Sequence, residues 1–126
     1  MLSTLHNRAY QDFLTLLTDF HNFMLNSQKQ TNLLIIKQEF KKLEQWFKQN
    51  INSLDDEGID TAYIPRWQSV QREVNREFKL LTTDILFLAS ARQDATRIKR
   101  LKSISDRLSK LSSYCRGMLE ESSNKE

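Results

Sequence analysis

The chain has 126 residues, 39% hydrophobic and 28% charged, a size at which one domain buries roughly two thirds of the surface its unfolded form would expose. With two glycines and a single proline it is too poor in turn formers for a many-stranded sheet and too apolar for wholesale disorder, so an all-α fold is expected. The net charge is +3 and Cys115 is the only cysteine, which excludes an intrachain disulfide and a cysteine-based zinc cluster and suits a reducing cytoplasm.

The opening MLSTLHNRAYQDFL lacks the basic region and unbroken apolar core of a secretory signal, so a cytoplasmic location is expected. Apolar residues then recur at alternating spacings of three and four, the pattern of helices that bury one stripe. A first helix runs through Tyr10, Phe13, Leu14, Leu17, Phe20 and Met24, with Ser3 or Thr4 as its N-cap. The polar link NSQKQTN offers Thr31 or Asn32 as cap for a second, through Leu33, Ile36, Phe40, Leu43, Phe47, Ile51 and Leu54, which Gly58 is expected to stop.

The acidic DDEGIDTAYI reads as the longest loop, and Pro65 fits the first turn of a third helix, where its missing N–H costs nothing. That helix buries Trp67, Val70, Val74, Phe78, Leu81, Ile85 and Leu88. A fourth buries Ile98, Leu101, Ile104, Leu108, Leu111, Cys115 and Leu119, with Gly117 expected to mark the fraying of its end. The junction SARQDAT has neither glycine nor proline and allows two architectures. A tight turn capped by Asp94 closes an antiparallel four-helix bundle, the favoured reading; a continuous helix of about 55 residues, ~80 Å long, packs two helices on one long one and needs a second chain to cover its stripe. The bundle spans 1–119, with 120–126 as a disordered acidic tail. The run LLTTDILFLASA is interrupted by Asp84 and falls short of the ~20 residues that cross a bilayer, so no membrane span is expected.

Catalytic chemistry needs convergent groups, and the chain offers few. Neither His6 nor His21 has a glutamate three residues before it, which removes the di-iron bundle class. His6 is expected in a fraying first turn of its helix, and His21 reads as a surface or partly buried side chain. Cys115 follows Leu108 and Leu111 at core spacing, so it is expected to be a buried, unreactive thiol. The run DDEG lacks the alternating oxygen ligands of a calcium loop. A non-enzymatic protein without cofactor or metal is the expectation.

Charge is unevenly placed. Residues 1–65 hold six Lys/Arg against eight Asp/Glu, whereas residues 66–119 hold twelve against five, a net +7. On the fourth helix Arg97, Lys99, Arg100, Lys102, Arg107 and Lys110 are expected to fan outward as a partner-binding face. On the third, Arg72, Arg76 and Lys79 form a stripe that Glu73 and Glu77 half neutralise. Exposed ion pairs contribute only ~0.3–0.5 kcal/mol, so the excess points to an acidic partner, either a protein or, as the alternative, a nucleic acid read by the basic fourth helix. Apolar residues off the main stripes (Leu16, Phe23, Leu25, Leu34, Ile35, Trp46, Leu80, Leu86, Phe87) complete a core or mark a homodimer contact or a partner groove.

YQDFLTLL, RWQSVQREVNREFKLLTTDILFLASAR and RLSKLSSYCRGML together resemble the PatD family, small cyanobacterial proteins described as controlling heterocyst frequency. The resemblance covers roughly Tyr10 to Leu119. It implies a cytoplasmic regulator that binds the tubulin-like division protein FtsZ and modulates its polymerisation, coupling cell division to heterocyst differentiation. It carries no residue-level map of that contact.

Overall fold

The computed structural model describes residues 2–26 and 33–124. Four helices follow one another: α1 (Thr4–Asn26), α2 (Leu33–Asn50), α3 (Ile64–Ser90) and α4 (Asp94–Asn124), with one 3₁₀ turn at Thr61–Tyr63. Ser3 caps α1, its Oγ accepting the His6 amide at 3.1 Å. The cap expected at Thr31 or Asn32 lies outside the described residues. No helix among the described residues is long and apolar enough to cross a membrane.

The helices form a ring in which α1 packs on α2 and α4, and α3 packs on the same two. Rings of α1 and α2 pair in opposite order along the chain, Phe13 with Phe47 at 5.4 Å and Phe20 with Phe40 at 5.8 Å, so neighbours run antiparallel. Helices α3 and α4 are separate. Ala91 adopts an extended conformation (φ −70°, ψ 126°) that breaks the helical path, leaving only its own N–H to Leu88 O at 3.2 Å as a closing bond. The long-rod alternative is thereby removed and the antiparallel four-helix bundle stands. Asp94 is the first residue of α4 rather than its cap, pairing with Arg97 at 3.9 Å.

All seven expected positions of α3 are buried. The fourth stripe is corrected at both ends: Ile98 is 67% exposed, Leu101 and Leu119 are only half-buried, and Met118 is buried. Ile98 lies six residues before Ile104, about 120° round the helix from the buried stripe, and half-buried Arg97 takes the inward phase instead.

Two boundaries move. Helix α2 stops at Asn50, not at Gly58: Ile51 N–H still reaches back to Phe47 O, but the Ile51 carbonyl accepts Leu54 N–H at 3.1 Å in a tighter turn and Gln71 Nε2 of α3 at 2.7 Å, in place of the next helical donor. Gly58 holds a left-handed turn (φ +84°) instead, and a Cβ there would stand 3.1 Å from Ser3 Cβ. At the other terminus α4 continues past Leu119, where the disordered tail was expected to begin. Glu121 is held by Arg66 Nη2 at 2.6 Å and accepts the Tyr63 hydroxyl at 2.6 Å.

Candidate protein-binding surface

The seam between α3 and α4 decides what the basic residues are free to do. Glu77 and Asp84 lie two turns apart on one column of α3 and are 1% and 4% exposed. A buried carboxylate needs compensation, and α4 supplies it with residues at the matching spacing. Arg107 forks between them, Nε donating to Asp84 Oδ2 at 2.7 Å and Nη1 to Glu77 Oε2 at 3.1 Å. Arg100 Nη1 reaches Asp84 Oδ1 at 3.3 Å, Ser103 Oγ donates to Asp84 Oδ2 at 2.8 Å, and Lys110 Nζ stands 3.2 Å from Glu77 Oε1. Burial works against the charge of Arg107, but the bonds to Asp84 and Glu77 outweigh it and hold the guanidinium above its ordinary range.

Three of the six residues expected to form an outward basic face, Arg100, Arg107 and Lys110, are therefore engaged within the molecule. Arg97 is half-buried beside Asp94. Lys99 and Lys102 are exposed and, with Arg92, pair with no acid among the described residues. On α3, Arg76 pairs with Glu73 at 3.5 Å, but Glu77 has turned away from that stripe to α4. The partners of Glu77 and Asp84 were legible as a spacing: acids at 77 and 84, arginines at 100 and 107, both seven apart.

The exposed apolar side chains are not scattered. Leu25 ends α1, Leu34 and Ile35 begin α2, Leu86 and Phe87 lie in the last turn of α3, and Ile98 lies in the second turn of α4. In an up-and-down bundle these four helix ends coincide, so six of the seven exposed large apolar residues among those described occupy one end. The cations of α4 border the same end, and Arg100 lies over the Phe87 ring at 4.5 Å. Among the other off-stripe residues, Leu16, Phe23 and Trp46 are half-buried against the core.

The two histidines are structural. His6 is 1% exposed, and sequence reasoning missed its role. Its Nε2 stands 2.7 Å from Asp55 O, which can only accept, so Nε2 carries the proton and Nδ1 accepts from Ser3 Oγ at 2.5 Å. His21 Nε2 meets Ser105 Oγ at 2.6 Å across the α1–α4 contact. Above His6, Trp67 Nε1 donates to Tyr10 Oη at 2.8 Å, Tyr10 donates to Gln71 Oε1 at 2.6 Å, and Gln71 donates to Ile51 O, a relay tying α3, α1 and the end of α2. Burial raises the Tyr10 pKa and pushes the Cys115 thiol up to about 12, Arg116 offsetting the latter only in part.

No protein-family model, curated protein or solved structure matches the chain.

Proposed function

We propose that the chain is a non-enzymatic regulator that binds a protein partner through the apolar, basic end of the bundle, and that the partner is FtsZ. The observation that carries the first half is the gathering of Leu25, Leu34, Leu86, Phe87 and Ile98 at one end, beside Arg92, Lys99 and Lys102. A water-soluble surface has no use for so many large apolar side chains in one place, and their basic border selects an acidic counterpart. The second half rests on the resemblance to the PatD family, which implies FtsZ and a role in division and heterocyst frequency in the cytoplasm. The nucleic-acid alternative loses ground because Arg100, Arg107 and Lys110 neutralise carboxylates of α3, leaving few cations for phosphates.

Sedimentation of GTP-driven FtsZ filaments tests the proposal. The protein should co-pellet and alter the amount of pelleted FtsZ, and Lys99→Glu with Lys102→Glu should reduce both at least tenfold. Absence of co-pelleting together with unchanged FtsZ in the pellet would overturn it.

A further inference from the structure

The two ends of the bundle carry opposite charge. Where α4 begins, residues 92–102 hold five Lys/Arg and one Asp/Glu, whereas residues 54–60 at the opposite end hold four Asp/Glu and no Lys/Arg. The acidic end also contains a cleft of about 390 Å³ between α1 and the end of α2. Its apolar wall includes Leu5, Trp46 and Leu54, and its rim carries Asp12, Asp55 and Glu57 against a single Arg8. Leu5, at 66% exposure, is the one large apolar residue among those described that is exposed away from the other six. At the basic end, Ile98 projects with 67% of its surface exposed, flanked by Lys99 and Lys102.

We propose that these two surfaces dock on each other between copies of this chain: the start of α4 in one molecule, with Ile98 as its apolar knob, seats in the acidic cleft of the next. The match is double. An apolar projection flanked by Lys99 and Lys102, with Asp94 one turn before it, meets an apolar depression whose rim carries Asp12, Asp55 and Glu57 beside Arg8. Contact removes Leu5 and Ile98 from water while the excess of opposite charge sets the orientation. Because the two surfaces differ and lie at opposite ends, the contact is heterologous. A pair keeps one free knob and one free cleft, and association does not close at two molecules but continues as a string. Its charged border makes it weaken with salt, as the Debye length falls from ~10 Å at 0.1 M to ~3 Å at 1 M. The inference does not depend on FtsZ binding, although both use the start of α4, so a molecule inside a string has its partner-binding end covered.

Sedimentation velocity over a concentration series, at low and high salt, tests it with two variants. One removes the knob (Ile98→Asn, Lys99→Gln, Lys102→Gln) and the other the cleft (Leu5→Asn, Asp12→Asn, Glu57→Gln). All six positions are exposed, and far-ultraviolet circular dichroism checks the fold of each; Ile98→Asn alone serves if the triple variant is misfolded. The wild-type mass should rise past that of a dimer with concentration at low salt and return to monomer at high salt. Each variant alone should associate at least tenfold more weakly, and an equimolar mixture should form a one-to-one dimer and nothing larger, since each supplies the surface the other lacks. A monomeric wild type at every concentration overturns the proposal, as does a mixture that stays monomeric. A cleft variant that dimerises alone also overturns it, because the apolar ends would then be meeting each other.

Discussion

Helix α3 is held by opposite means on its two sides. Toward α2 it offers Phe78, whose ring stacks on Phe47 at 4.0 Å and 4° and also meets Phe40 at 5.6 Å, with Phe13 behind it at 6.2 Å. Toward α4 it offers two carboxylates. The aromatic side spaces the backbones apart, while the serines of α4 let it approach α3 and α1 closely, with Ser103 bound to Asp84 and Ser105 to His21. Rings contribute stability wherever they are buried and tolerate small shifts. Carboxylates buried against a fork of donors tolerate none, since sliding α4 by one turn would strand Glu77 or Asp84 without a cation. The charged seam is thus a device for register, and the aromatic seam the main source of stability.

Truncation should separate the two. Phe78→Ala removes a ring in contact with three others and should cost about 3–5 kcal/mol, visible as a lower urea midpoint. Arg107→Ala leaves both carboxylates with weaker partners and should cost about 2–3 kcal/mol, less than a fully buried pair because Arg100 and Lys110 remain. Arg107→Lys should recover little, because an ammonium does not reproduce the two-pronged bond to Asp84 and Glu77. If the seam mainly stabilised the fold, replacing Glu77, Asp84 and Arg107 together by Leu, Leu and Met would be as damaging as Arg107→Ala. The register account expects that triple change, which strands no buried carboxylate, to be near neutral in midpoint.

The relay through Tyr10 sits between these extremes, being polar but uncharged. Tyr10→Phe keeps the ring and removes the hydroxyl, leaving Trp67 Nε1 without an acceptor and Gln71 Oε1 without a donor. Denaturant unfolding should show a loss of about 1–2 kcal/mol. A larger loss would mean that the capped end of α2, which depends on Gln71, has come apart as well.

The legible and hidden parts of the fold divide along the same line. The stripe of α3 could be read position by position, since seven apolar residues keep one phase from Trp67 to Leu88 and every one has a neighbour to face. Ile98 can be threaded into the fourth stripe by successive steps of three, but those steps drift it about a third of a turn from Ile104, and Arg97 holds the inward phase. Periodicity read step by step hides that accumulated rotation. Glu77 and Asp84 were hidden for a different reason. Charged residues are normally solvated, and Glu77 stands beside the Arg72, Arg76 and Lys79 stripe, so only the shared seven-residue spacing with Arg100 and Arg107 betrayed the seam. His6 and Gln71 gave no periodic signal, because His6 ties down a loop through Asp55 O and Gln71 joins α1 to the end of α2 through Tyr10 and Ile51 O, contacts that no helical repeat encodes.

The smallest effect concerns pH and the base of the core. Cys115 is fully buried, and its thiol is pushed from an ordinary 9.0 up to about 12, chiefly by burial. Tyr10 and Tyr63 are raised from 10.0 in the same direction, again chiefly by burial, with Glu121 adding to the effect on Tyr63. In the unfolded chain these groups release their protons at ordinary values, whereas the folded chain retains them. Folded values above unfolded ones contribute stability that is complete below about pH 9 and is lost as pH rises towards the folded values. The thermal midpoint should therefore change little on account of these groups around neutrality and fall above about pH 9. Cys115→Ala should lower the midpoint at neutral pH, by leaving a small void, yet make the alkaline fall shallower. A thiol reagent at neutral pH should label Cys115 at least tenfold more slowly in the folded than in the unfolded chain. An alkaline slope identical in wild type and Cys115→Ala would show that the aromatic and charged seams leave the thiol open to water.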